Sequence, residues 1–155
     1  MEKALDIIMD ISEQLLLAGA EISRVEESIQ HLGRAFGASR TDAFIITSNM
    51  EVSLHNSEGM SFTQTRRVSN IGADIERLHR LNGLIRKICA NEINTDEISE
   101  KLDKITNSKS YPFSIIVFAY GLVSGAFALF FGGNAVEAVC SFIIGMILSF
   151  IVKVT

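Results

Sequence analysis

The sequence predicts a water-soluble α+β domain followed by α-helical membrane segments. Charge is the first observation, because residues 1–109 carry 13 of the 14 Lys and Arg and 17 of the 18 Asp and Glu. Residues 110–136 are the second: these 27 residues include no Asp, Glu, Lys, Arg or His, and about 20 apolar residues cross a bilayer core of ~30 Å. Third, the apolar periodicity of residues 1–109 changes from helical to strand-like and back.

The first 37 residues predict a helical hairpin. Apolar residues recur at spacings of three and four in residues 2–18, and again after a break at Gly19. Gly37 stands where a helix C-cap glycine is expected. The two stripes are Ile8, Ile11, Leu15 and Ala18, then Ile22, Val25, Ile29, Leu32 and Phe36.

A small antiparallel sheet is expected next, followed by two more helices. Residues 44–46 are a short apolar run, residues 50–55 and 60–65 alternate apolar with polar, and residues 56–59 have turn composition. Helical spacing then returns, and a last short helix begins near Thr95, a candidate N-cap. The stripes of these helices are Ile71, Ile75, Leu78, Leu81, Ile85 and Ile88, then Ile98, Leu102 and Ile105.

Two transmembrane helices are predicted in residues 110–155, over about 112–131 and 135–152. Pro112 suits the entrance of the first helix, where its missing N–H leaves no hydrogen bond unmade. Acids among the first 20 residues exclude the apolar core of a signal peptide. Lysines flank the outer ends of both spans, and the loop between the spans has none, so the positive-inside rule places both ends in the cytoplasm. We therefore expect a multi-pass protein of the inner or plasma membrane whose N-terminal domain is cytoplasmic.

Each span carries small residues at a spacing of four. Gly121 and Gly125 form a GxxxG pattern, and Ser141 and Gly145 continue to Ser149 on the second span. Small residues let helices approach closely in lipid. The two spans could pack on each other through these faces, or on further helices of a larger bundle.

Several short motifs, in matching order along nearly the whole chain, resemble the threonine/serine exporter family. They are the segments 19–26 and 32–37, the Arg66-Arg67 pair, the helix start from Asp74 to Leu81, Tyr111-Pro112, and the stretch from Ala126 through Gly132-Gly133. The resemblance implies inner-membrane export of small polar metabolites, namely threonine and serine in one branch and succinate in a two-subunit branch. This chain resembles the larger subunit of that branch, which works with a smaller, all-membrane partner.

The resemblance also implies structural or gating roles for Glu21, Arg24 and Glu26, whose alternative role is ordinary solvated charge. Family members continue into more membrane helices, and two helices cannot enclose an aqueous path. The chain is therefore expected to be a fragment, or to be completed by a homo-oligomer and the partner subunit. Asp74, Gly132 and Gly133 lie in the family-like motifs and are expected to have structural or gating roles as well.

Three charged residues are candidate substrate ligands. Arg66 and Arg67 could bind a carboxylate, although alternation along a strand directs them to opposite faces; a salt bridge to Asp74 or Glu76 is the alternative. Glu137 is the one charge between Lys109 and Lys153 and could lie on the transport pathway. It also has the N-x-x-E spacing of a capping box with Asn134.

No cofactor or metal site is expected. The three histidines and two cysteines lack metal-ligand spacing, and Cys89 and Cys140 are expected to be buried apolar fillers. An acidic soluble half, with a net charge of about −4, indicates neither nucleic-acid binding nor a basic membrane-surface patch. We expect a non-enzymatic exporter subunit acting on a small polar metabolite in the lipid bilayer. The alternatives are a membrane-tethered metabolite-sensing domain and, with no motif in its favour, a tethered hydrolase.

Overall fold

The computed structural model describes residues 1–69, 72–108 and 111–154, except for the side chains of 153 and 154. The chain forms two compact units, Met1–Ser108 and Lys109–Thr155. The expectations for Ile71, for the boundary at Lys109 and for the flanking charge of Lys153 lie outside the described residues.

The helical hairpin is confirmed. Helices α1 (Glu2–Leu17) and α2 (Ile22–Ala35) are amphipathic, and their apolar stripes are buried except at Ile22 and Phe36, which are partly buried. Gly37 follows α2 with φ of +80°, and the Ala38 N–H donates to the Gly33 carbonyl at 2.9 Å. These are the features of a Schellman turn, so the helix ends where the sequence predicts.

A three-stranded antiparallel meander follows, with strand order β1 (Arg40–Ile46), β2 (Asn49–His55) and β3 (Ser61–Arg67). Its inner face carries Ile45, Met50, Val52 and Leu54, all buried, and packs on α1 and α2. The opposite face is open, and Phe44 is 63% exposed there. The predicted small sheet is confirmed, and two apolar residues of the 44–46 run, Phe44 and Ile46, lie outside the core.

Helices α3 (Ile75–Cys89) and α4 (Thr95–Thr106) complete the unit. Their inward residues Leu81, Ile88, Ile98 and Leu102 join the core formed by the hairpin and the sheet. Three sequence expectations need correction. Ile75 is 74% exposed because it begins α3 at the edge of the packed stripe. The N-cap of α4 is Asn94, one residue before Thr95, and Cys89 and Cys140 are exposed rather than buried.

The Lys109–Thr155 unit contains helices α5 (Phe113–Phe130) and α6 (Ala135–Val154), which pack side by side. At 1.5 Å per residue, the 18 residues of α5 extend about 27 Å, close to the thickness of a bilayer core. Only 17% of the apolar window of α5 and 11% of that of α6 is buried. A helix from the core of a soluble protein would be mostly buried, so the exposed apolar surfaces of these helices suit a hydrocarbon environment.

Candidate functional site

The turn between α1 and α2 makes a close backbone contact with the segment that leads into α3. The N–H of Gly72 donates to the Leu17 carbonyl at 3.0 Å, and the N–H of Asp74 donates to the Ala18 carbonyl at 3.1 Å. Gly19 lies in this contact with φ of +85°, and a Cβ atom there would stand 2.5 Å from the Gly72 carbonyl oxygen. Only glycine therefore fits this position without strain or displacement.

A small cavity of about 70 Å³ lies at this junction, between α1, α2 and α3. Its polar lining comes from Glu21, Arg24, Ser28 and Asn82. Glu21 is the N-cap of α2 but makes no capping hydrogen bond through its side chain. Among the described residues Arg24 has no ion pair, so neither of the two ion pairs suggested by the sequence, to Glu21 or Glu27, is present. The structure thus leaves one carboxylate and one guanidinium beside the same cavity.

The chemistry of this cavity is that of a polar site for water or a very small ligand. A carboxylate accepts hydrogen bonds, a guanidinium donates them, and Ser28 and Asn82 add a hydroxyl and an amide. Pockets for drug-sized ligands measure roughly 300–1,000 Å³, whereas one water needs roughly 10–15 Å³. The cavity therefore accommodates a few waters or a group of a few heavy atoms.

The other two family-motif residues of this unit, Asp74 and Glu26, lie outside the lining of the cavity. Asp74 caps α3, and its carboxylate accepts the Arg77 N–H at 2.9 Å. Glu26 is half-buried on α2 and does not line the cavity. The gating roles expected for these residues stay predictions.

Arg66 forms a salt-bridge network with α1. Its Nη1 lies 2.6 Å from Asp10 Oδ1 and 2.8 Å from Glu13 Oε2, and 27% of its side chain is exposed. Burial by itself lowers the pKa of the guanidinium, but the hydrogen bonds that Arg66 donates to Asp10 and Glu13, together with the negative charges of these acids, outweigh burial and leave that pKa raised. The two salt bridges of Arg66 therefore connect β3 to α1.

Arg67 lies on the opposite, exposed face of β3, as the predicted alternation requires. The expected pairing of the arginines with Asp74 or Glu76 is wrong, because Asp74 contacts Arg77 and Glu76 pairs with Arg80. No local pattern points to Asp10 and Glu13 as the partners, because both lie more than 50 residues away from Arg66 along the chain.

Glu137 and Asn134 form a capping box at the start of α6. The N–H of Asn134 donates to Glu137 Oε2 at 2.8 Å, and the N–H of Glu137 donates to Asn134 Oδ1 at 2.9 Å. The cap expected from the N-x-x-E spacing is confirmed. Gly132 and Gly133 end α5 just before it, and the N–H of Gly133 donates to the Ala128 carbonyl.

The small residues form the contact between α5 and α6. A Cβ atom on Gly121 would stand 2.9 Å from Met146 Cγ and 3.0 Å from the Phe142 carbonyl. A Cβ atom on Gly145 would meet the Tyr120 carbonyl at 2.6 Å. Gly125 packs against Ala138 and Phe142, while Ser141 is half-buried on α6. Of the two alternatives for the small faces, mutual packing of α5 and α6 is thus present.

The sequence missed the residues that complete the polar cavity. Ser28 and Asn82 are ordinary polar positions on amphipathic helices, just outside the segments 19–26 and 74–81 that resemble the family. Their only sequence signal is their place beside the apolar stripes of α2 and α3, a place that many surface residues share. Among the described residues, no three His, Cys, Asp or Glu are grouped to hold a metal ion.

A charged α+β unit, followed by two helices with exposed apolar surfaces, is the architecture of a membrane protein with a water-soluble domain. The comparisons with known proteins identify the family. The family model of the threonine/serine exporters, ThrE, matches residues 6–155, so the chain belongs to the threonine/serine exporter family, whose members are membrane transporters.

One curated relative is pheromone-regulated membrane protein 10 of Candida glabrata. The alignment has a length of 144 residues with 26% identity, and it covers 89% of this chain and 18% of the fungal protein. The chain thus spans less than a fifth of the length of that relative. No solved structure matches the chain.

Proposed function

We propose that this chain is a subunit of an inner- or plasma-membrane exporter of small polar metabolites. The substrate is threonine or serine, or a dicarboxylate such as succinate. The observation that carries the proposal is the family match over residues 6–155, because it includes both the soluble unit and the two apolar helices. The soluble unit lies in the cytoplasm and gates or assembles the complex.

The packing of the membrane unit supports a multi-subunit exporter. Helices α5 and α6 pack closely on each other through Gly121, Gly125 and Gly145, whereas transporters bind substrates between repeats of several helices, so a substrate path requires further helices. The outer faces of both helices expose large apolar side chains such as Phe118 and Ile144. These faces are available to lipid and to other helices, as in a homo-oligomer or in a complex with the smaller, all-membrane subunit of the two-component branch.

The test measures efflux from cells that carry the complete locus and from cells that lack it. Cells are loaded with labelled threonine, serine or succinate, and the rate of label release is recorded. We expect the deletion to slow the release of at least one of the three and the restored gene to recover it. Unchanged release of all three compounds would refute the proposal.

Glu137 lets the same assay separate a cap from a pathway role. Glu137→Gln keeps the side-chain oxygen needed for the capping box but removes the charge, whereas Glu137→Ala removes both. If Glu137 serves the pathway, we expect both variants to lose efflux at wild-type membrane levels. Normal efflux with Glu137→Gln would show that Glu137 serves only as a helix cap.

The small polar cavity favours a second candidate, a metabolite-sensing domain without transport activity. Glu21 and Arg24 together offer one acceptor and one donor of opposite charge, as the ammonium and carboxylate groups of an amino acid would need, while its side chain would stay outside the small cavity. Calorimetry of the chain with threonine and serine should then detect binding that Glu21→Gln and Arg24→Gln abolish. Glu27→Gln and Arg34→Gln are matched controls, because both residues are exposed on α2 and lie outside the cavity lining. Equal losses in all four variants, or no binding by the wild type, would exclude this role.

A further inference from the structure

A groove of about 370 Å³ lies between α3 and α4 in the Met1–Ser108 unit. Its volume is within the range of pockets that bind small molecules, roughly 300–1,000 Å³. Five of its lining residues carry basic nitrogen groups: His79, Arg80, Lys87, Lys101 and Lys104. Leu84, Ile93 and Ile105 give it an apolar part.

The charge of this groove is opposite to that of the domain around it. Within the part of the chain that the structure describes, none of the residues lining the groove is acidic, although residues 1–109 have 17 acids against 13 bases. Arg80, Lys101 and Lys104 are each paired with an acid one turn earlier on the same helix. Exposed pairs of this kind are weak, so a more highly charged anion can compete with these acids for the three bases. Within the described residues Lys87 and His79 have no ion pair.

Gly83 is an independent sign that the groove is kept open. It lies in the interior of α3, where glycine is less favourable than alanine, and it lines the groove. A Cβ atom at this position would meet nothing nearer than Arg86 Nη2, at 4.0 Å. Packing therefore does not require glycine here, whereas any larger side chain would extend into the groove.

We propose that this groove binds the phosphate group of an anion that also has an apolar part. A carboxylate has two oxygens, fewer than the five basic groups can engage, whereas a phosphate ester presents more oxygens and more charge to them. The guanidinium of Arg80 and the ammonium groups suit phosphate oxygens, and Leu84, Ile93 and Ile105 contact the adjoining hydrocarbon. Anionic phospholipid headgroups and soluble phosphate esters share this chemistry. The inference does not depend on the proposed export activity.

The experiment uses the full chain in phosphatidylcholine nanodiscs. One arm adds glycerol 3-phosphate, and the other replaces part of the phosphatidylcholine with phosphatidylglycerol. The readout is the imidazole NMR signal of His79, assigned with His79→Gln, with His31 and His55 as internal references. We expect a saturable shift of His79 alone. A shift only with phosphatidylglycerol identifies a lipid site, and a shift only with glycerol 3-phosphate identifies a soluble ligand.

Two matched pairs of variants test the position of the site. Gly83→Glu places an acid in the groove, while Gly83→Ala makes the same backbone change without charge. We expect Gly83→Ala to bind within about twofold of the wild type and Gly83→Glu at least tenfold more weakly. Lys87→Gln should bind about fivefold more weakly, the effect of one base near an anionic surface, and Arg34→Gln, with the same change in net charge outside the groove, should bind normally.

Three results would overturn the proposal. The first is a His79 signal that moves with neither ligand. The second is equal binding by Gly83→Glu and Gly83→Ala while circular dichroism shows both folded. The third is an equal loss in Lys87→Gln and Arg34→Gln, because general electrostatic attraction would then explain the binding.

Discussion

Gly19→Ala should destabilise the soluble unit much more than the same change at Gly37. Both glycines follow helices and have nearly the same backbone conformation, with φ of +85° and +80°. A Cβ atom at Gly37 meets nothing within 4 Å, whereas one at Gly19 stands 2.5 Å from the Gly72 carbonyl oxygen. The two variants therefore share the conformational penalty, and only Gly19→Ala adds a steric clash with the backbone.

The magnitudes follow from these contacts. A non-glycine residue in the left-handed region costs about 1–2 kcal/mol, which is the whole effect expected for Gly37→Ala. At Gly19 the clash also displaces the backbone bonds from Gly72 to Leu17 and from Asp74 to Ala18, each worth about 0.5–1.5 kcal/mol. Gly19→Ala should therefore lose about 1–3 kcal/mol more than Gly37→Ala.

The assay is reversible unfolding of residues 1–108, followed by circular dichroism in urea and on heating. This fragment contains the complete core of the soluble unit, so we expect it to fold by itself. At about 4 °C per kcal/mol for a domain of this size, the Tm of Gly19→Ala should be about 4–12 °C below that of Gly37→Ala. Equal Tm values for the two variants would refute the close contact between the α1–α2 turn and Gly72.

Three further predictions concern ion pairs and helix packing. Arg66→Met should lower the free energy of unfolding of residues 1–108 by about 1–2 kcal/mol in urea, because two α1 carboxylates, of which Glu13 is half-buried, lose their partner. The hydrogen bond from Arg40, with a smaller contribution from His55, lowers the pKa of Asp42. The Asp42 carboxylate therefore stabilises the fold above its ordinary pKa, and this contribution is lost as the pH falls through the lowered value; carboxyl NMR should show the pKa rising in Arg40→Gln. Gly145→Leu should separate α5 from α6, measured as a longer spin-label distance in nanodiscs, because the Tyr120 carbonyl occupies the space for a side chain.

Two of these predictions have a matched control variant, and the prediction for Asp42 has an outcome that would contradict it. Arg67→Met removes an exposed arginine of the same strand and should leave the free energy of unfolding unchanged; a loss equal to that of Arg66→Met would contradict the network. An unchanged Asp42 titration in Arg40→Gln would exclude the assigned cause of the pKa shift. Ile144→Leu changes an exposed position next to Gly145 and should keep the helix distance, so an equal separation in both variants would argue against the packing.

Much of the fold could be predicted because its signals are local. Apolar spacing identified the helices and two of the strands of the first unit, and the long stretch without charge identified α5 and α6. Gly37 identified the end of α2, because a glycine in the left-handed conformation commonly ends a helix. The Asn134–Glu137 cap was equally readable, because both partners lie within one helical turn. When two contacting residues lie three or four positions apart along the chain, both partners and their spacing can be read directly from the sequence.

The sequence by itself determined the order of the elements, the separation of a charged unit from an apolar one, and the family resemblance. The tertiary structure alone decided which distant charges meet. Arg66 pairs with Asp10 and Glu13 rather than with nearer acids, and bases from α3 and α4 form a cationic groove in an acidic domain. Net charge is a sum along the chain, whereas the local potential depends on which side chains folding brings together; only the folded arrangement of α3 and α4 could reveal the groove.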